Sequence, residues 1–149
     1  GNTFVLVATL CQKGLMTPLK TAVEAGLLYL GTSAGSNICG PTVQTTNDMP
    51  IIEPPSFEAL HVVPFQLNPH YTDYQPEGHN GETRDQRLFE FTALNPTTPV
   101  VAIREGTALT LTDNKLTLVG KKEGYLFLGN EKSPIAPSTD LTELLNREA

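Results

Sequence analysis

An α/β fold with a mixed sheet is what the pattern of this chain predicts, on three observations. Candidate helices and strands alternate from Thr3 to about Arg104. Antiparallel signals take over after Gly106, where two alternating runs flank Asp113-Asn114. A Gly-x-Ser-x-Gly pentapeptide, Gly31-Thr32-Ser33-Ala34-Gly35, stands where an apolar run hands over to a short helix.

Each element has a local reason. Asn2 or Thr3 can cap a first helix reaching about Lys13, with Phe4, Leu6, Val7 and Leu10 apolar and Gly14 as the stop. Thr17-Pro18 reads as N-cap and first position of a second helix that ends at Gly26. Leu27–Gly31 is predicted as a strand, and Ser36–Cys39 winds a turn or two before Gly40-Pro41. Thr42–Phe57 lacks periodicity and is a loop. Leu60–Val63 and Phe65–Leu67 are short strand candidates around Pro64, followed by a polar loop over Pro69–Gly81. Glu82–Leu94 is predicted helical, with Leu88, Phe91, Phe89 and Leu94 toward the core, and Val100–Ile103 a buried strand. Thr107–Thr112 and Lys115–Val119 form a hairpin, Tyr125–Leu128 another strand, and a last helix starts at Leu141 with Asp140 as cap and Glu143 in a capping-box position.

Bulk properties narrow the function classes. The 149 residues, with 39% hydrophobic and 17% charged, make one domain spanning 1–149. A net charge of −6, with no basic cluster beyond Lys121-Lys122, argues against nucleic acid. No apolar run has the length of a membrane span and no signal peptide is visible, so no membrane partner and a cytoplasmic location are expected. Cys11 and Cys39 show no metal spacing and read as reduced, buried thiols. The three histidines lack ligand spacing, and no cofactor or metal is implied. The chain has no initiator Met, and one helix pair and one strand precede the pentapeptide. The expectation is the C-terminal part of a longer protein, with an N-terminal segment or a second chain as partner.

The pentapeptide points to acyl-transfer chemistry. On such a turn Ser33 projects its hydroxyl, and the backbone N–H of Ala34 is placed to stabilise an oxyanion. The bland alternative is a turn of small residues. A serine hydroxyl needs a base, and the base an orienting acid. His61 starts an apolar run and reads as a packed or surface residue. His79 lies in the polar loop. His70 directly follows the strand Phe65–Leu67, and loops at strand C-termini are where α/β proteins build sites. Asp48, Asp73 and Glu105 are the acids at loops or strand ends; Glu105 shares the strand-end position of His70.

These residues together resemble the peptidase E family of serine peptidases, which also contains cyanophycinase. The matching pieces are Gly31–Asn37, Thr45-Thr46-Asn47-Asp48-Met49-Pro50, Gln66-Leu67-Asn68-Pro69-His70, Pro76–Arg84, Arg104-Glu105-Gly106 and Gly1-Asn2-Thr3-Phe4. They cover nearly the whole chain. The resemblance implies a fold similar to class I glutamine amidotransferases (flavodoxin-like, a mixed sheet with flanking helices), of which this is the C-terminal part. It also implies hydrolysis of dipeptides with an N-terminal aspartate by a Ser-His-Glu triad. Carried over, Ser33 is the nucleophile, His70 the base and Glu105 the acid, with Asp48 as alternative acid. Ala34 and Gly1 would donate to the oxyanion, and Arg84, Asn2 and His79 would bind substrate. A guanidinium suits the aspartyl carboxylate; the bland reading of Arg84 is a solvated residue in a helix's first turn. Two other functions compete: a cyanophycinase-like hydrolase of β-aspartyl peptides, and a non-catalytic interaction module or inactive fragment. A small peptide substrate and a monomer or homodimer complete the expectation.

Overall fold

The computed structural model describes residues 1–146. Helix α1 (Thr3–Gln12) is capped by Asn2, whose side-chain oxygen accepts from the Phe4 and Val5 amides. Helix α2 (Met16–Glu24) has its N-cap at Leu15, two residues ahead of the expected Thr17, and no side-chain cap. Helix α3 (Ala34–Asn37) is a single turn. Strand β1 (Gln66–Asn68) precedes α4 (Arg84–Leu94), which opens with a Thr83/Gln86 capping box. Then come β2 (Val100–Ala102), β3 (Thr107–Thr112), β4 (Lys115–Gly120), β5 (Gly124–Leu128), β6 (Glu131–Ile135) and a 3₁₀ turn at Thr142–Asn146.

The sheet is mixed, in the order β1-β2-β5-β6. β1 and β2 run parallel, with Asn68 opposite Ala102, whereas β5 and β6 are antiparallel additions. β3 and β4 form a separate hairpin. Asp113 and Asn114 turn it at φ 50° and 58°, the positive pair that a tight hairpin turn demands. The strand period of two splits the core. Phe65, Leu67, Val101 and Ile103 pack on one face with Leu116, Leu118, Leu141 and Leu144. Val100, Ala102 and Phe127 pack on the other with Leu88 of α4. A third cluster joins Phe4 and Val7 of α1 to Ile38, Val43 and Leu60.

Several expectations are corrected. Leu27–Gly31 is not a strand: a strand exists by its ladder, and among the described residues nothing pairs with it. Leu28 and Leu30 are 91% and 89% exposed. Leu60–Val63 is not a strand either. Its amides donate instead to Ile38, Cys39 and Gly40, closing the carbonyl end of α3, and His61 at φ 50° breaks the extended run. Leu94 points outward at 86% exposure, and Thr92 takes the buried place on α4. Strand β6 was not expected. The terminal turn is 3₁₀ rather than α, with Asp140 accepting from the Thr142 amide and hydroxyl; an extension past Asn146 lies outside the described residues. Cys11 and Cys39 are free but only partly buried.

Candidate active site

Ser33 sits at φ 50° and ψ −111° immediately before α3. A non-glycine residue holds such a backbone only where its surroundings over-determine it. Here they do. The Tyr29 hydroxyl donates to the Gly35 carbonyl (2.7 Å), the Ser36 hydroxyl to the Gly31 carbonyl (3.1 Å), and Asn37 Nδ2 to the Ser33 carbonyl (3.4 Å). The chain folds so tightly that a Cβ on residue 31 would lie 2.3 Å from the Gly35 oxygen, so only glycine fits. The Gly35 and Ser36 amides are taken by the Thr32 and Ser33 carbonyls, while the Ala34 amide donates to no main-chain carbonyl among the described residues. It is the free donor beside the hydroxyl.

Parallel pairing of β1 and β2 brings two more residues to the same sheet edge. His70 follows β1 at φ 58°, a left-handed position histidine tolerates better than most. The Tyr71 amide then donates to Ile103 (2.9 Å), which holds the turn against the end of β2. Glu105 follows β2, and its Oε1 contacts His70 Nδ1. Ser33, His70 and Glu105 all line one cleft of about 1010 Å³. Among the described residues Ser33 and His70 share no hydrogen bond. Tyr29 and Cys39 also border this cleft; burial pushes the Cys39 thiol up to about 11 and the Tyr29 phenol upward too, so both groups stay protonated at neutral pH.

Asp48 lies elsewhere. Its carboxylate accepts from the Thr3 amide and hydroxyl, each at 2.6 Å. Burial works against its charge, but the Thr3 and Thr46 hydrogen bonds outweigh it and hold the carboxyl below its ordinary range. The Thr3 and Thr46 hydroxyls both meet Asn37 Nδ2, at 3.2 and 3.3 Å. Asp48 therefore reaches the backbone of Ser33 through a relay and leaves the His70 ring to Glu105. Asn2 is likewise occupied, capping α1 and donating to the Met49 carbonyl at 2.8 Å. Neither Asn2 nor Gly1 lines the cleft.

Arg84 and His79 line a second, smaller cavity of about 220 Å³. The Nη1 of Arg84 is buried there, without a hydrogen-bond partner among the described residues. Burial, and then the neighbouring Arg87, pull its pKa down. One ion pair borders both spaces: Arg104, which lines the Ser33 cleft, grips Asp73 of the Arg84 cavity with two bonds of 2.9 and 2.8 Å. Behind it the buried Tyr71 donates to Asp85 (2.6 Å) and accepts from Lys132 (2.9 Å). Asp73, a candidate acid by its loop position, is thus paired with Arg104 and not with a histidine, whereas Asp85, Tyr71 and Lys132 have no sequence signal beyond adjacency of Tyr71 to His70 and Asp85 to Arg84. Among the described residues no group of His, Cys, Asp and Glu is placed to hold a metal, and no helix is long and apolar enough to cross a membrane.

A sequence model of peptidase family S51 matches residues 1–119. Peptidase E of Shewanella amazonensis is 62% identical over 146 residues, which are 97% of this chain and 62% of that protein. Peptidase E of Shewanella denitrificans is 57% identical over the same shares. The chain thus spans about 62% of the length of the curated relatives it matches. A candidate peptidase E from Listeria monocytogenes EGD-e superposes with a TM-score of 0.54 at 22% identity, covering 93% of this chain and 57% of that one. That likeness bears on the fold, a mixed α/β architecture like that of class I glutamine amidotransferases.

Proposed function

Because this chain belongs to peptidase family S51, we propose that it acts as a serine exopeptidase which hydrolyses Asp-Xaa dipeptides through an acyl-enzyme. The observation that carries this reading is the meeting of the Ser33 elbow with the His70–Glu105 pair at one cleft. Attack of Ser33 Oγ on the scissile carbonyl passes its proton to His70, whose other ring nitrogen is held by Glu105. The Ala34 amide takes the oxyanion. Collapse breaks the C–N bond as His70 returns the proton to the leaving amine. Water then attacks the ester with His70 as base, releasing aspartate and free Ser33.

Specificity in this reading belongs to Arg84, with its carboxylate subsite in the smaller cavity. Its unpartnered Nη1 supports this, because a half-buried guanidinium with a buried N–H lacking an acceptor gains from a carboxylate. Asparagine and aspartate side chains have nearly one shape, so charge is the discriminator. Leaving Arg84 without a carboxylate costs about 2–5 kcal/mol, or roughly 30- to several-thousand-fold in kcat/KM. The measurement is kcat/KM for Asp-Leu and Asn-Leu in the full-length protein, parental and Arg84→Ala. Arg84→Ala is expected to erase the preference by lowering Asp-Leu turnover. A preference that survives intact would mean another group reads the charge.

A further inference from the structure

The cavity around Arg84 is unusually acidic for a place that receives an anion. Asp73, Glu82 and Asp85 line it against two guanidinium groups, Arg84 and Arg87. On its own that wall carries an excess of negative charge and repels a carboxylate. Yet each acid is already engaged. Glu82 is held by Arg87 at 2.6 Å, Asp73 by Arg104 at 2.8 Å and Asp85 by Lys132 at 2.7 Å. Arg104 and Lys132 reach in from outside the wall, and with them four cations face three carboxylates. Arg84 is the cation left over, and it is the one with a buried, unpartnered nitrogen.

Lys132 is well fixed for this task. It sits on β6 with its Nζ 4.2 Å from the centre of the Tyr125 ring, and it bonds both the Tyr71 hydroxyl and Asp85. It lies beyond the stretch matched by the family's sequence model. We propose that Lys132 determines specificity by neutralising Asp85, which turns the cavity net positive and keeps Arg84 open for the substrate carboxylate. The proposal rests on the Asp-Xaa reading of Arg84.

The test compares KM and kcat for Asp-Leu and Asn-Leu in the full-length protein at low ionic strength. Lys132→Met should raise KM for Asp-Leu about five-fold, leave kcat within about two-fold, and hardly move Asn-Leu. Adding Asp85→Asn to Lys132→Met should bring KM for Asp-Leu back to within about two-fold of the parental value, since the uncompensated charge is gone while Tyr71 keeps an acceptor. Asp85→Asn alone should lower KM for Asp-Leu, which gives a readout even if Lys132→Met does not fold. An unchanged KM in Lys132→Met, a double variant as impaired as the single one, or a raised KM in Asp85→Asn overturns the proposal; the second result would mean that Lys132 acts by packing on Tyr71 and Tyr125. A parental protein that does not prefer Asp-Leu to Asn-Leu overturns the substrate reading itself, and the proposal with it.

Discussion

The two cavities of this molecule are built by opposite means. The cleft around Ser33 is large, and its walls carry the exposed Leu27, Leu28 and Leu30. The groups proposed to react are aimed by backbone shape, with Ser33 and His70 both at positive φ. The cavity around Arg84 is small and walled by charge. Its residues start a regular helix with a good cap, and what is specified there is which cation pairs with which anion. In the proposed reaction, chemistry is aimed by conformation on one side of the Arg104–Asp73 pair, and recognition is tuned by charge bookkeeping on the other.

The largest expected effect breaks the conformational side. Ser33→Ala or His70→Ala should each lower kcat on the order of 10⁴-fold or more, and the double variant little further, because such residues act as one unit. His79→Ala should be much milder. Single-turnover rates on Asp-Leu decide this, and a reversed ranking of the two histidines would move the base to His79.

A smaller effect probes the elbow without touching the reacting atoms. Gly31→Ala places a methyl group against the Gly35 carbonyl. Overpacking of this kind costs roughly 1–3 kcal/mol, and the shift it forces passes directly into Ser33. Both the melting temperature and the labelling of Ser33 by a fluorophosphonate should fall. Full labelling in a folded Gly31→Ala protein would show that the turn has slack.

Much of the conformational side was legible in the sequence, and little of the charged side was. Local rules reach the Asn2 cap, the Asp113-Asn114 turn and the glycine-flanked serine, because the cause lies within a few residues of the effect. The strand-end position of His70 and Glu105 also follows once β1 and β2 are parallel. The pairs Asp85–Lys132 and Asp73–Arg104 are 47 and 31 residues apart, and no local pattern announces them. β6 was hidden by Pro134, which a ladder tolerates only at an edge; β6 is one of the two edge strands of the sheet. Leu27–Gly31 has strand-like composition, but a ladder depends on a neighbour that composition does not supply.

The smallest effect sharpens the charged side. Arg104 holds Asp73 down to about 2, mainly by its hydrogen bonds. Because this folded value lies below the ordinary carboxylate value of about 3.9, the pair's contribution is complete above that range and is lost as pH falls toward 2. Asp73 is about half exposed, so the contribution is below about 1 kcal/mol. Asp73→Asn should therefore melt slightly lower than the parental protein at pH 6, and the gap should close by about pH 2. A gap that persists in acid would mean that Asp73 stabilises by something other than its charge.

The positive φ angles at Ser33 and His70 have a consequence for how this protein changes under selection. Both positions would be more comfortable as glycine. A mutant library sorted for heat resistance alone would therefore gather substitutions at the two residues on which the proposed reaction depends. Its fittest members by that measure would be well-folded proteins without a nucleophile or a base. Only a screen that also rewards hydrolysis would hold these two side chains in place.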